Sequence, residues 1–119
     1  MLTPEEEALR LTGIDLRQHY RELGFQVIYA PIEDFSVPPL GALHAPVRAI
    51  LQAASQGQTI VIHCHAGLGR TGMLAACLAK VVFGMDADQA LAWVHRSILH
   101  AVETGEQMDY VRSFIWEGN

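Results

Sequence analysis

An α/β fold, with helices flanking a parallel sheet, is the architecture this sequence predicts. Three observations lead to it. Amphipathic helical stretches alternate with short β-branched runs along the chain. One run, Thr59-Ile60-Val61-Ile62, is apolar at successive positions, as in a strand buried on both faces of a parallel sheet. That run passes through a glycine-containing loop directly into a long apolar stretch, the strand–loop–helix order of a parallel unit. At 119 residues the chain has the size of one domain, residues 1–119, able to bury one core and not two.

The elements follow in order. Thr3-Pro4-Glu5-Glu6 offers an N-cap, a proline at the first helical position and a capping-box glutamate, so a short helix begins there and stops near Gly13. A second helix runs from Asp15 to about Leu23 and ends at Gly24. Residues 25–30, Phe-Gln-Val-Ile-Tyr-Ala, read as a strand closed by Pro31. Beyond the loop 32–39, the positions Leu43, Val47, Ile50, Leu51 and Ala54 share one helical face, with Gly57 as the stop and Pro46 bending or delaying the start. After the strand 59–62, residues 71–83 are almost wholly apolar and form a central helix ending at Gly84. Asp86 caps the next helix, which runs to about Ile98. Thr104 starts the last, with Met108, Val111 and Ile115 on its inner side. Only two strands emerge, too few for a sheet that stands alone, so a further strand is expected to be hidden or missing.

Composition narrows the function. Half the residues are apolar and 18% are charged, which excludes a disordered chain. A net charge of −5 with eight scattered basic residues excludes a broad nucleic-acid or anionic-membrane footprint, so any anion site is local. No apolar run reaches the roughly 18 residues of a membrane span and the start lacks a signal-peptide pattern, so a cytoplasmic location is expected. The two cysteines, Cys64 and Cys77, are expected to be free thiols, with Cys77 packed in the core.

The chemistry concentrates in His63-Cys64-His65-Ala66-Gly67-Leu68-Gly69-Arg70-Thr71-Gly72. A strand, a glycine-bearing loop and a helix make an anion cradle, because successive backbone N–H groups point inward and the helix's positive end adds to the field. Gly67 and Gly69 permit the backbone approach that a side chain would block. Arg70 brings a planar fork suited to two phosphate oxygens. A thiol near a helix N-terminus and a guanidinium is favoured as the nucleophilic thiolate, which gives Cys64 its role. The loop has no Gly-Lys-Ser/Thr and no metal-holding carboxylate, so the expected reaction is attack on phosphorus and not nucleotide binding, with no metal and no cofactor. The Thr71 hydroxyl can donate to the sulfur, and His63 orders the loop by hydrogen bonding. The alternative is that Cys64 is only a small buried hydrophobe and Arg70 a cap. Six specified positions at about one in twenty each make coincidence roughly a one-in-a-million event.

His63-Cys64, five residues, then Arg70-Thr71-Gly72 resembles the signature of the protein tyrosine phosphatase superfamily, and Cys-His-Ala-Gly-Leu-Gly-Arg-Thr-Gly resembles its small dual-specificity branch most. The resemblance implies a phosphatase-type parallel sheet and a cysteine-dependent phosphomonoesterase acting through a phosphocysteine. Loop residues His65, Ala66, Gly67, Leu68, Gly69 and Arg70 would bind phosphate. Asp34 matches the family's general acid in a Pro-Ile-x-Asp-x-x-x-Pro segment, with Glu33 its neighbour and not the match; a plain turn-capping role for Asp34 is the alternative. Gln107 matches the residue that positions water, but Thr104-Gly105-Glu106-Gln107 is equally a capping box, and both readings stand.

Two departures from the family pattern are visible. Ile98-Leu99-His100 stands where relatives often have Arg-Pro-Gly, and a strand that precedes the Leu2-Thr3-Pro4 segment in the family has no counterpart here. The latter would leave a sheet edge open to self-association. The implied partner is a phosphoprotein or small phosphomonoester. A rhodanese-like sulfurtransferase and a catalytically inactive phosphate-binding module are the competing readings.

Overall fold

A computed structural model describes residues 1–65 and 68–117. It holds six helices: α1 (Glu5–Thr12), α2 (Leu16–Glu22), α3 (His44–Ser55), α4 (Gly69–Phe83), α5 (Ala87–Ser97) and α6 (Gly105–Ser113). Helix α4 is the hub, packed against α5 and α6, which also touch each other, while α1 and α2 pair with one another. Met73, Ala76 and Cys77 of α4, Val47 of α3, Val94 of α5 and Val111 of α6 are all at most 1% exposed and form the centre of the core. Each large apolar side chain so buried contributes about 1.5–3 kcal/mol.

The helix ends show how closely local chemistry fixes them. Asp15 accepts from the Gln18 amide, and Asp86 and Gln89 form a reciprocal capping box. Gly13 and Gly84 close α1 and α4 in the left-handed conformation that glycine adopts without strain. Three boundaries differ from expectation. Thr3 makes no cap and is buried; Pro4 takes the N-cap position. Helix α3 begins before Pro46, which sits in the first turn, where its missing N–H has no helical partner to lose. Helix α6 stops at Ser113, so Ile115 is 66% exposed and Phe114, 3% exposed, turns inward instead.

The largest correction concerns the sheet. Among the described residues all regular structure is helical and the parallel sheet is absent. Residues 25–30 and 59–62 form no ladder with each other: both line one cavity of about 850 Å³, together with Ile50, Ala53 and Leu74. Met1 and Leu2 bridge the two segments at one end. Ile28 O accepts from the Met1 amino group (2.9 Å), the Ala30 amide donates to Met1 O (3.1 Å), and the Leu2 amide donates to His63 O (3.0 Å). Val61, in the run expected to be buried on both faces, is consequently 75% exposed.

Candidate active site

Cys64 follows the extended segment and is half-buried just ahead of α4. The Thr71 hydroxyl, in the first turn of α4, donates to its sulfur at 3.0 Å. Arg70, beside Thr71, is 1% exposed, and its guanidinium has a defined set of partners. Nη1 donates to Glu7 Oε1 (3.2 Å) and to Ile32 O (2.9 Å), and Nη2 donates to Glu7 Oε2 (3.0 Å). Asp34 Oδ1 lies 3.4 Å from the same Nη2. Arg70 Nε is buried and has no partner among the described residues. A buried N–H left without an acceptor is costly, and a bound anion is the ligand that would satisfy it. Burial alone would lower the Arg70 pKa; hydrogen bonding to Glu7, the charge of Glu7, and then Asp34 and Cys64 more than offset this, so the guanidinium is held in its charged form.

Residues 31–38, called the acid loop after the role expected of Asp34, reach the site from the other side of Arg70. Ile32 is buried and its carbonyl is fixed by Arg70, which brings Asp34 to the guanidinium while leaving its side chain 42% exposed. The Phe35 amide donates to Asp34 Oδ1 at 3.0 Å, in a turn that puts Phe35 at φ 57. Glu33 lies exposed on the same loop. His63, just before Cys64, faces Tyr20, whose hydroxyl is 3.1 Å from Nε2. Burial and then the positive amino terminus lower the His63 pKa, against a smaller opposing effect of a backbone hydrogen bond at Cys64.

Helix α6 closes the site. Gln107 is fully buried; its Oε1 accepts from the amides of Glu103 (2.9 Å) and Thr104 (3.3 Å), and its Nε2 donates to Ser36 O (3.2 Å) on the acid loop. The capping box expected at Thr104 is therefore formed, and the same amide reaches the acid loop. The segment before it packs tightly on α4. A Cβ on Gly72 would fall 2.7 Å from Ala101 Cβ and 2.9 Å from Val102 N, so only glycine fits there. His95 Nε2 donates to Ala101 O at 2.6 Å, holding the loop from its other side.

Cys64, Arg70, Thr71 and Asp34 thus meet in one place, with Gln107 joined to them through Ser36. Leu68 carries the loop into α4, accepting from the Gly72 and Val102 amides, and His65 is exposed beside Cys64. Ala66 and Gly67, also expected to bind phosphate, lie outside the described residues. Cys77 is fully buried and free, its thiol pushed up to about 12 by burial, against a smaller lowering by Lys80, which fits a packing role. Glu7, the buried partner of Arg70, is the residue of the site that sequence reasoning missed. A buried arginine demands a counter-charge, but Glu5-Glu6-Glu7 gave no basis for choosing the one that turns inward.

A family model described as "Polymorphic toxin system, DSP-PTPase phosphatase" matches residues 4–82. The mouse protein tyrosine phosphatase domain-containing protein 1 is 34% identical over 99 residues, covering 83% of this chain and 13% of that protein. The yeast tyrosine-protein phosphatase CDC14, from Saccharomyces cerevisiae, is 28% identical over 95 residues, 80% of this chain and 17% of that one. The chain therefore spans only a small part of these curated relatives. A crystal structure of Tk-PTP in the active form superposes with a TM-score of 0.85 at 31% identity, covering 93% of this chain and 72% of that one.

Proposed function

Since the chain belongs to the dual-specificity branch of the protein tyrosine phosphatases, we propose that it is a cysteine-dependent phosphomonoesterase acting on phosphotyrosine and phosphoserine or phosphothreonine. The observation that carries this reading is the Thr71 hydroxyl bound to the Cys64 sulfur beside a buried Arg70 whose Nε lacks a partner among the described residues. In the first step the Cys64 thiolate attacks phosphorus, the P–O ester bond breaks, and Asp34 gives its proton to the departing oxygen. In the second, water attacks the phosphocysteine, the P–S bond breaks, and Asp34 takes the water's proton. The Thr71 hydroxyl stabilises the returning thiolate.

Arg70 works under a constraint. Its two bonds to Glu7 and one to Ile32 O leave Nε and the N–H facing Asp34 for the phosphate. Substrate phosphate and the acid thus share one guanidinium, which sets them side by side. The amino end of α4 supplies the remaining field.

The test is Cys64→Ser. It should abolish hydrolysis of p-nitrophenyl phosphate while vanadate or phosphate binding stays measurable, because Arg70 and the helix end survive the change. Substantial turnover in the variant would remove the nucleophile assignment, and thiosulfate turnover by the wild type without phosphatase activity would reverse the choice of reaction.

A further inference from the structure

The cavity lined by residues 25–30 and 59–62 has hydrogen-bonding walls. Met1 pairs with the first wall in the pattern of a parallel ladder: its amino group donates to Ile28 O and its carbonyl accepts from the Ala30 amide, one on each side of Tyr29. Leu2 pairs with the second wall, its amide donating to His63 O, and its carbonyl accepts from the Ile32 amide. Extended backbone repeats every two residues. Gln26 N and O and Ile28 N therefore face the same way as Ile28 O and Ala30 N, while Thr59 and Val61 face the same way as His63 O. Among the described residues none of these further groups has a hydrogen-bond partner. Two edges with free amides and carbonyls are a template for an added strand.

The chemistry of the walls defines what fits. Ile50 and Ala53 of α3 and Leu74 of α4 give the cavity an apolar side, and Gln26, Gln52 and Gln56 also line it. Among the described residues lining it there is no aspartate, glutamate, lysine or arginine. A charged side chain would lose its hydration there with no counter-charge to replace it. Phe25 and Val61, both in the walls, are exposed, so the site is reached from outside. At about 3.3 Å per residue, the four residues 59–62 span about 13 Å, the length of a four- or five-residue segment.

We propose that this cavity is a docking site for an uncharged, β-branched segment of a partner protein, which enters extended, runs parallel to residues 25–28 and 59–62, and raises the activity of the enzyme. The link to activity rests on the phosphatase reading; the docking does not. Leu2, next in line with the incoming segment, is bonded to His63, the residue before Cys64, and to Ile32, whose carbonyl holds Arg70. A strand that joins both walls fixes these two segments relative to each other, and with them Cys64 relative to Arg70 and Asp34.

The probe is the end-blocked peptide Thr-Val-Ile-Val-Thr, added to the whole chain, with Thr-Val-Pro-Val-Thr as the control that lacks a central amide. At about ten times its Kd, the first peptide should slow hydrogen exchange of the Gln26, Ile28 and Val61 amides about tenfold, leaving those of Val27 and Ile60 on the outward edges unchanged. It should raise kcat/KM for p-nitrophenyl phosphate at least about 5-fold, the low end of ordinary coupling between sites. Val61→Pro, which removes one wall donor, and Ala53→Glu, which sets a carboxylate in the cavity, should each abolish both effects and keep the basal activity. No protection at millimolar peptide, or equal protection by the proline control, would overturn the proposal. So would protection of the same amides by self-association of the chain without peptide, since the occupant would then be a second copy. Protection with kcat/KM unchanged would overturn the link to Cys64. Protection in a wild type with no phosphatase activity would sink the phosphatase reading and leave the docking site standing.

Discussion

Glu7 and Arg70, 63 residues apart in sequence, meet as a buried two-pronged ion pair with contacts of 3.2 and 3.0 Å. The pair fixes the plane of the guanidinium before any phosphate arrives, so little ordering is left to the moment of binding.

Glu7→Gln keeps the shape of that contact and removes its charge. The guanidinium should lose its orientation, with kcat/KM for an aryl phosphate falling on the order of 100-fold and vanadate binding weakening in parallel. Glu7→Ala should in addition destabilise the fold by about 3–5 kcal/mol, the usual result of leaving a buried charge unpaired, measured by urea unfolding. Unchanged kinetics in Glu7→Gln would show that Arg70 needs no such partner.

Asp34→Asn should slow hydrolysis of phosphotyrosine or an alkyl phosphate by about 100- to 10,000-fold. The loss should shrink with an activated leaving group that departs unaided. Glu33→Gln, on the same loop, should show neither effect. The reverse pattern would move the acid by one residue, and no leaving-group dependence in either variant would mean that the chain lacks an acid step.

His100 adopts φ 65 at the place where relatives often carry glycine. The left-handed conformation costs a non-glycine residue about 1–2 kcal/mol, while glycine adds about 0.5–1 kcal/mol of unfolded-state entropy. His100→Gly should therefore stabilise the protein by up to about 1 kcal/mol, read as a higher urea midpoint at constant slope. A lower midpoint would show that the imidazole makes a contact outweighing the strain.

His63 gives the fold a pH dependence of definite sign. Its pKa is lowered in the folded chain, so as pH falls through the ordinary histidine range near 6.5 the unfolded chain takes up the proton first. Stability is full above that range and is lost as the pH drops below it. The fall in melting temperature between pH 7.5 and 5.5 should be smaller in His63→Gln than in the wild type. An equal fall would assign the effect to the other histidines.

The helices were legible because caps and glycine stops act within a few residues, as at Asp15, Asp86, Thr104 and Gly84. The core of the site was legible for a similar reason: Cys64, Arg70 and Thr71 lie on one short stretch, and Asp34 in a recognisable segment. What failed was non-local. A β-branched run such as residues 59–62 states a preference for extended backbone, but a ladder needs a neighbour at about 4.8 Å, and here Met1 and Leu2 reach only one end of the gap. Glu7 was hidden for the same reason, since its partner lies across the fold. The motif around Gln107 offered a choice between cap and site, whereas the side chain caps α6 and bonds to the acid loop at once.

Lys80 is the only lysine in the sequence, and its ammonium donates to Val111 O and Phe114 O, tying the carboxyl end of α6 to the last turn of α4. Amine-directed chemistry on this side chain is therefore a chemistry of the closed bundle itself. An acetyl group or a cross-linker at Lys80 would remove the charge that gathers those carbonyls, so labelling at this position reports how often α6 lets go and not what the outer surface offers.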